Sequence, residues 1–282
     1  DPGLVRQSIA EYFGLDYTAH EKTDLSDIPA LPGRPPNLCA GCPHRATYYA
    51  VKQVYGTDTI YPTDIGCYTL GLLPPISMAD LVICMGSSVS TGCGFSRATD
   101  QKVVSFIGDS TFFHSGITGL VDAVHNNHKF TLVILDNGTT AMTGHQPHPG
   151  VDTAPMGVAL TQISIEDLVR GLGVKDVHVV KPFKLKKTIE AVKATLAYDG
   201  ISVIISKEFC PLFAKATGQF KKTKPFYVNH NKCKNHRDCI NLLACPAMFL
   251  EGDRVEIDKN LCIGCSVCAQ VCPENAILPV KG

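Results

Sequence analysis

Two short polar segments carry carboxylate, amide and carbonyl oxygens at positions where they could bind a metal ion. Residues 108–110 (Gly-Asp-Ser) follow the apolar run 103–107, and residues 136–139 (Asp-Asn-Gly-Thr) follow the apolar run 131–135. Each run has the length and composition of a buried parallel strand, so both segments are expected at the same edge of one sheet. Ligands of open α/β sheets bind at that edge. The oxygen atoms there suit Mg²⁺, with a diphosphate supplying the remaining ligands.

The spacing of the two segments resembles the diphosphate-binding signature of thiamine diphosphate enzymes. Asp109 and Asn137 lie 28 positions apart, separated by a predicted helix over residues 115–127. The resemblance implies that Asp109, Asn137 and the carbonyl oxygen of Thr139 hold Mg²⁺, which in turn holds the diphosphate. The simpler explanation is an ordinary strand-to-helix turn with Asp109 or Ser110 as the N-cap. Two such segments after two strands favour the cofactor site.

Four cysteines are predicted to meet near the same edge. Cys39 and Cys42 form a Cys-x-x-Cys pair at the start of a helix, and Cys67 and Cys210 each follow a predicted strand. The pair alone is ambiguous among zinc, iron-sulfur and thiol-disulfide chemistry. With two further thiols it could supply the four ligands of one [4Fe-4S] cluster. A structural zinc site is the alternative.

The last segment of the chain has the cysteine spacing of a two-cluster ferredoxin. Its second half matches the bacterial pattern, whereas its first half has His236 where a cysteine is expected. In this fold the fourth cysteine of each run ligates the other cluster. One expected ligand set is Cys262, Cys265, Cys268 and Cys245, and the other is Cys233, Cys239 and Cys272 with His236. A [3Fe-4S] cluster with His236 unligated, or loss of that cluster, are the alternatives.

Longer motifs connect these sites to one family. Cys-x-x-Cys-Pro-His-Arg at 39–45, Asp-Ile-Gly-Cys at 64–67, Gly-Asp-Ser at 108–110 and the run 136–150 resemble the 2-oxoacid:ferredoxin oxidoreductases. Among these the motifs are most similar to the large subunits of the indolepyruvate enzymes. The similarity covers roughly residues 37–282. In that family the cluster nearest thiamine is held by cysteines that match Cys39, Cys42, Cys67 and Cys210.

The resemblance implies a reaction, cofactors and partners. The reaction is oxidative decarboxylation of an aryl 2-oxoacid, with coenzyme A as acyl acceptor and ferredoxin as electron acceptor. The cofactors are thiamine diphosphate, Mg²⁺ and three iron-sulfur clusters. A second domain or subunit must bind the aminopyrimidine ring and supply its glutamate, so this chain alone is expected to be inactive. These residues do not distinguish among aryl pyruvate, pyruvate, 2-oxoglutarate and a branched-chain oxoacid as the substrate. They do not indicate the direction of the reaction either.

Further residues are expected around the cofactor. The predicted cofactor contacts are Ile65, Gly66, Cys67, Gly86, Ser87, Gly108, Asp109, Ser110, Asn137, Thr139, Ala141 and Met142. His114 follows the metal-binding aspartate, and His145 and His148 lie in a Pro/Gly-rich loop that could close over the cofactor. These three histidines are candidate proton donors, and the alternative is that they are solvated surface groups. Cys84 is expected as a core thiol and Cys93 as a helix-packing residue.

The elements that must position these residues alternate between strand and helix. This pattern predicts a doubly wound, mostly parallel α/β sheet followed by a small α+β ferredoxin-like domain. The predicted strands are 59–61, 81–85, 103–107, 131–135, 177–180 and 201–205. The predicted helices are a segment within 1–16 that stops at Gly14, a segment that the motif 38–45 opens and that runs to about Tyr55, 87–97, 115–127, 165–171 and 185–198. The predicted domains are a helix and Pro-rich linker (1–36), the cofactor-binding domain (37–216), a linker (217–228) and the ferredoxin-like domain (229–282).

Composition excludes several classes of function. The 282 residues carry 26 basic and 26 acidic side chains, so no charge excess indicates a nucleic-acid or membrane-surface binder. No apolar run reaches the length of a membrane span, and eleven of the thirteen cysteines fall in cluster-type motifs, which indicates a reducing cytoplasm. Asp1 stands where an initiator methionine would, so a longer polypeptide is expected. A non-redox thiamine enzyme would have no use for the cysteines, whereas an electron carrier with a vestigial thiamine fold would not need Asp109 and Asn137.

Overall fold

The computed structural model describes residues 2–19, 24, 26–29, 33, 35–152, 161–220 and 223–280. The chain forms two compact units, residues 1–35 and 36–282. In the first unit, helix α1 (Pro2–Phe13) ends where Gly14 adopts a φ of 62°, as the sequence predicts. Parts of the predicted Pro-rich linker, including Glu21 and Pro32, lie outside the described residues, as do Lys221 and Lys222 of the second predicted linker.

The second unit is built on a seven-stranded sheet in the order β3-β2-β4-β5-β7-β6, with β1 also paired to β4. Its strands are β1 (Thr59–Ile60), β2 (Pro62–Thr63), β3 (Leu81–Val82), β4 (Lys102–Gly108), β5 (Thr131–Asp136), β6 (Asp176–Val180) and β7 (Ser202–Lys207). Every pairing of these strands is parallel. The fold class predicted from the alternating pattern is therefore confirmed.

Helices cover the sheet. They are α2 (Pro43–Tyr55), α3 (Ser87–Ala98), α4 (Asp109–Thr111), α5 (Ile117–His125), α6 (Ile165–Gly171), α7 (Leu185–Leu196) and α8 (Pro211–Ala216), with a 3-10 helix at Cys67–Leu72 and a π-helical turn at Phe112–Gly116. All six residues of β5 are buried because helices pack on both faces, which explains its uninterrupted apolar run. No helix in the described part of the chain is long and apolar enough to cross a bilayer.

The helix after β4 begins earlier than predicted. It starts at Asp109 instead of Ser115, and a π-helical turn over Phe112–Gly116 joins its two α-helical parts. A Cβ atom at Gly116 would lie 2.6 Å from the side chain of Ile107 on β4, so the helix lies close against the sheet here. Sequence periodicity does not reveal such a turn, because one inserted residue only shifts the helical pattern. As a result Asp109 lies at a helix start, where backbone dipoles favour a carboxylate.

The cysteine-rich segment folds as two small hairpin-like sheets with two short helices. Strands β8 (Phe226–Val228) and β11 (Ile277–Pro279) pair antiparallel, as do β9 (Met248–Glu251) and β10 (Arg254–Ile257). Helices α9 (Asp238–Asn241) and α10 (Val267–Val271) complete it. The predicted linker 217–228 therefore ends in a strand of this segment.

The cysteine-rich segment shares a core with the α/β sheet. Leu243, Val267 and Val271 belong to the same buried cluster as Leu38 and Val51. Hydrogen bonds reinforce the contact, since the Gln270 side chain accepts the N–H of Leu185 and donates to the carbonyl of Phe183. The segment is thus held against the sheet in one compact unit.

Candidate active site

A cavity of about 520 Å³ opens at the carboxyl edge of the sheet. It lies between the ends of β2, β4 and β5, where the parallel strands bring their following loops together. Ten of the twelve predicted cofactor-binding residues line it, namely Ile65, Gly66, Cys67, Gly108, Asp109, Ser110, Asn137, Thr139, Ala141 and Met142. Gly86 and Ser87 are outside its wall; Ser87 instead donates to the buried carboxylate of Asp64.

Asp109 is held rigidly at the base of this cavity. One carboxylate oxygen accepts the backbone N–H groups of Asn137 at 3.0 Å and Gly138 at 2.8 Å. His148 lies 3.1 Å from the same oxygen. Because the N–H of Gly150 donates to Nδ1 of His148, the proton of the neutral ring is on Nε2 and is donated to Asp109. The carboxylate is 3% exposed and has a single fixed orientation.

Asn137 is oriented by a histidine that sequence reasoning did not select. Its amide nitrogen lies 3.3 Å from Nε2 of His44, a buried residue in the first turn of α2. Burial lowers the pKa of His44 to about 4, so the ring is neutral at physiological pH and can accept this hydrogen bond. The amide oxygen accepts the N–H of Thr139 at 3.2 Å. His44 also lines the cavity, and its position beside Cys42 in the Cys-x-x-Cys-Pro-His-Arg motif was the available signal.

The donor set at this edge fits Mg²⁺ and a diphosphate. Asp109, Asn137 and Thr139 are buried, and all three line the cavity, so they are shielded from bulk water. Carboxylate, amide and carbonyl groups are hard ligands that suit this ion. Gly108 lets the backbone pass close to Tyr68, since a Cβ at this position would lie 2.5 Å from the Tyr68 ring.

The proximal cysteines are brought together beside this cavity. Burial, with smaller contributions from the nearby Cys39 and Cys67 thiols, raises the pKa of the Cys42 thiol to about 12. Burial likewise raises the pKa of Cys67 to about 11, with Cys210 and Cys39 as its neighbours. All four thiols are free, and each has at least one of the others among its electrostatic neighbours. Thiols with such pKa values stay protonated at neutral pH, so metal binding here must release protons.

The ferredoxin-type cysteines form two groups with the predicted exchange of the fourth member. Four of them line one cavity of about 320 Å³, namely Cys245, Cys262, Cys265 and Cys268. Three line another of about 380 Å³, namely Cys233, Cys239 and Cys272. Burial raises the pKa of Cys265 and of Cys239 to about 11 each, with thiols of their own group as neighbours. Free thiols grouped in fours and threes fit iron-sulfur clusters.

His236 lines the cavity that holds the group of three cysteines. Its Nε2 lies 3.0 Å from a carboxylate oxygen of Glu274. A histidine that ligates a metal through one nitrogen commonly donates its other N–H to a carboxylate. The pairing therefore leaves Nδ1 available for iron.

The three candidate catalytic histidines lie outside the lining of the cavity at the carboxyl edge. His114 is exposed and lies 3.0 Å from the Ser115 hydroxyl. His145 stacks near Phe213, with ring centroids 5.7 Å apart, and its buried Nδ1 has no partner in the described chain. His148 packs on Phe113 and reaches the site only through Asp109. Their catalytic role stays a prediction.

One prediction about a cysteine outside the clusters is wrong. Cys84 is exposed and not buried, because β3 ends at Val82 and the chain leaves the sheet before reaching this residue. Cys93 is buried in α3 as expected.

Comparison with known proteins agrees with this geometry. A model described as thiamine pyrophosphate enzyme, C-terminal TPP binding domain, matches residues 64–206, and one described as 4Fe-4S binding domain matches residues 255–278. The indolepyruvate oxidoreductase subunit IorA of Methanothermobacter thermautotrophicus is 52% identical over 98% of this chain and 44% of that protein. The subunit of the same name from Archaeoglobus fulgidus is 42% identical over 99% of this chain and 46% of that protein.

These matches show how much of its relatives' length the chain spans and which family it belongs to. The chain spans less than half the length of these curated relatives. The alignments cover 44% of the first relative's sequence and 46% of the second's. The solved structure of a 2-oxoglutarate:ferredoxin oxidoreductase from Magnetococcus marinus has a TM-score of 0.56 and 20% identity, covering 66% of each chain, which shows a shared fold. The resemblance stated from the motifs is confirmed by the relatives' names. The chain belongs to the thiamine pyrophosphate enzyme family and carries a 4Fe-4S binding domain.

Proposed function

We propose that this chain is the cofactor-binding and electron-transfer part of a 2-oxoacid:ferredoxin oxidoreductase that decarboxylates an aryl 2-oxoacid and forms an acyl-coenzyme A. One observation carries the proposal. Cys67, a predicted ligand of the proximal cluster, lines the same cavity as Asp109 and Asn137, the predicted ligands of Mg²⁺. A redox centre would thus lie in the wall of the thiamine site, an arrangement that a non-redox thiamine enzyme would not need.

The residues of the cavity would have separate tasks. Asp109, Asn137 and the Thr139 carbonyl would hold Mg²⁺ and through it the diphosphate. Met142 and Ile65, both partly exposed in the cavity wall, would provide apolar contacts for the cofactor ring and for an aryl side chain. When bound, thiamine diphosphate supplies the carbon centre and electron sink that decarboxylation requires.

The cysteine groups would carry the electrons away. The proximal group borders the cavity, and the group around Cys265 is adjacent to the proximal group. The group around Cys239 is lined by exposed residues such as His236 and Lys234. Three clusters in this order would lead from the cavity toward a soluble acceptor such as ferredoxin. The relatives that share this pattern are named subunits of indolepyruvate oxidoreductase, which supports the aryl oxoacid as substrate.

A second domain or subunit would complete the site. The cavity wall exposes apolar side chains, with Met142 48% and Ile65 42% exposed. Thiamine enzymes bind the aminopyrimidine ring between two domains, and these side chains would face the second one. Activity is therefore expected only in the complete assembly.

The proposal is tested on the complex purified without oxygen together with its partner chains. Iron, sulfide and thiamine diphosphate are measured first, and about twelve iron atoms with one thiamine per chain are expected for three [4Fe-4S] clusters. Electron paramagnetic resonance after addition of indolepyruvate and coenzyme A should then show reduced clusters. Pyruvate, 2-oxoglutarate and a branched-chain oxoacid are compared in parallel to assign the substrate.

Two results would contradict the proposal. Iron without thiamine, and without reduction by any oxoacid, would leave an electron carrier with a non-catalytic thiamine fold. Thiamine with product formation but no cluster reduction would indicate a non-redox decarboxylase.

A further inference from the structure

Arg45 is a buried cation, and the ionisable groups that affect it most are four cysteine thiols. It is 4% exposed, in the first turn of α2. Burial lowers its pKa, and the groups that raise it are Cys245, Cys42, Cys265 and Cys39. Two of these belong to the proximal group and two to the adjacent ferredoxin-type group. The guanidinium therefore lies between two predicted cluster sites.

The hydrogen bonds of Arg45 join the chain segments that carry these cysteines. Nη2 donates to the carbonyl of Leu38 at 2.6 Å and lies 3.4 Å from that of Cys39. Nη1 donates to the carbonyl of Leu243, two residues before Cys245. The Arg45 guanidinium thus links the loop of Cys39 to the loop of Cys245. Its Nε–H is buried and has no partner in the described chain.

The two cysteine loops also touch directly. The Cys-x-x-Cys loop has Gly41 at a φ of 71°, and a Cβ there would overlap the side chain of Ile263, which precedes Cys265. Ala40 and Gly41 form part of the wall of the cavity lined by Cys245 and its group. The side chain of Asn37 adds a hydrogen bond to the Ala244 carbonyl at 2.9 Å. Two predicted clusters would therefore be neighbours, with Arg45 beside both.

A buried cation without a counter-ion is costly, and neighbouring anions offset part of that cost. No carboxylate forms an ion pair with Arg45 in the described chain, and its hydrogen bonds go to neutral carbonyls. A cubane cluster held by four thiolates carries net negative charge and gains another on reduction. Only such clusters would balance the guanidinium here.

We propose that Arg45 is a positioning residue that links the proximal cluster to the adjacent ferredoxin-type cluster and raises the reduction potentials of both. The proposal rests on the proposed function, because it requires clusters at both cysteine groups. A fixed positive charge stabilises the reduced, more negative form of each cluster. Its hydrogen-bonding fork holds the two loops at a constant separation, which electron transfer between them needs.

The test compares Arg45→Gln with wild type in the complex purified without oxygen. Redox titration followed by electron paramagnetic resonance gives the midpoint potential of each cluster. Loss of the charge should lower the potentials of the two inner clusters by at least the equivalent of a tenfold change in equilibrium, about 59 mV for one electron. The outer cluster at Cys233, Cys239 and Cys272 should keep its potential. Arg45→Lys, which keeps the charge, should retain most of the wild-type values.

Controls separate this inference from the proposed function. Arg170→Gln removes a surface arginine paired with Glu166 and should leave all potentials unchanged. Wild-type protein without clusters would overturn the proposed function. Clusters present in Arg45→Gln at unchanged potentials would overturn only the role of Arg45. Failure of both Arg45 variants to assemble clusters would overturn it as well, since the guanidinium would then be a structural brace. If Arg45→Gln fails to assemble clusters while Arg45→Lys assembles them at wild-type potentials, the requirement for a charge is supported.

Discussion

At the scale of single residues, the orientation of Asp109 depends on His148. The ring receives the N–H of Gly150 on Nδ1 and donates from Nε2 to Asp109 at 3.1 Å, while it packs on Phe113. Removal of a group that orients a metal ligand typically weakens metal binding by about 10- to 100-fold. We therefore expect His148→Ala to lower the affinity for Mg²⁺ and thiamine diphosphate by about that factor, as measured by titration calorimetry on the assembled complex.

A second histidine-aspartate pair provides the matched control. His178 lies 2.9 Å from Asp176 on β6, away from the lining of the cavity. His178→Ala removes a similar contact and should leave cofactor affinity unchanged. Equal affinity of His148→Ala and wild type would show that the backbone N–H groups of Asn137 and Gly138 suffice to orient Asp109.

The sequence selected the candidate metal-binding residues but not the side chains that orient them. Asp109 and Asn137 belong to motifs of recognisable spacing, so their meeting at one edge was predictable. His44 belongs to the motif at residues 39–45, yet no sequence pattern indicates that its side chain, in the first turn of α2, reaches Asn137. That contact depends on how α2 packs over the sheet. Cys84 was wrongly predicted to be a core residue, because the apolar run 81–85 does not reveal that β3 ends after two residues.

At the scale of elements, the contact between α3 and the sheet depends on one glycine. A Cβ at Gly92 would overlap the hydroxyl of Ser105 on β4 and lie 2.9 Å from the ring of Phe130. These neighbours are buried and cannot withdraw. Gly92→Ala should therefore lower the free energy of unfolding by about 1–3 kcal/mol, measured by urea denaturation under anaerobic conditions.

Gly94, on the same helix, is the control. A Cβ there meets nothing within 4 Å. Since alanine favours a helix over glycine by about 0.5–1 kcal/mol, Gly94→Ala should be neutral or slightly stabilising. Equal losses for the two substitutions would mean that helix α3 does not pack on β4 as described.

The buried Asp64 joins the start of α3 to the segment that carries Cys67. Its carboxylate accepts the N–H of Ser88 at 2.8 Å and the Ser88 hydroxyl at 2.7 Å, and its carbonyl accepts the hydroxyl of Thr69. Asp64→Ala would leave buried donors unpaired and should cost about 2–4 kcal/mol of unfolding free energy. Asp64→Asn keeps an acceptor and should cost less than half as much in the same urea experiment.

Wild type and Asp64→Asn are also expected to differ in the pH dependence of their stability. Burial raises the pKa of Asp64 above 3.8, so above pH 3.8 the folded chain holds this proton longer than the unfolded chain does. This contribution makes wild-type stability fall as pH rises through the raised pKa. Asp64→Asn lacks the titrating group and should therefore gain stability relative to wild type over that range. A constant difference between the two proteins across this range would show that the group does not titrate on folding.

Elements with a continuous or alternating pattern were predictable, and those defined by packing were not. The strands predicted at residues 131–135 and 201–205 agree with the observed strands Thr131–Asp136 and Ser202–Lys207 to within two residues at either end, because buried parallel strands are apolar throughout. The strand Phe226–Val228 was assigned to a linker, since its partner Ile277–Pro279 lies far along the sequence. The strand order of the sheet is likewise set by crossovers that the local sequence does not encode.

At the scale of the whole molecule, the proposed electron route runs from a buried cavity to an exposed end. Cys67 borders the thiamine cavity, Arg45 lies between the inner cysteine groups, and the outer group lies beside His236, whose side chain is 47% exposed. An external acceptor would meet the chain at this end. The properties of the outer cluster therefore decide how electrons leave, and the ligand at position 236 is its distinguishing feature.

We expect His236 to be the fourth ligand of the outer cluster. Its Nε2 is paired with Glu274 at 3.0 Å, and a carboxylate partner of this kind increases the basicity of a ligating imidazole. His236→Ala should reduce the iron content by about one atom per chain, as a four-iron cluster becomes a three-iron cluster. His236→Cys should keep the iron and lower the potential of the outer cluster, because thiolate ligands favour lower potentials than imidazoles do.

The carboxylate partner gives a finer test of the same ligation. Glu274→Gln removes a negative charge and weakens the basicity of the imidazole, so the outer cluster should keep its iron but shift to a higher potential. The matched control is Glu256→Gln, which breaks a similar pair in the same segment, His230 to Glu256 at 2.7 Å, and should leave all potentials unchanged. If His236→Ala retains full iron and Glu274→Gln leaves the potential where it was, the imidazole is not a ligand. If wild type and His236→Ala both contain about eleven iron atoms, the outer site would hold a three-iron cluster on Cys233, Cys239 and Cys272 alone, and electrons would leave through that centre.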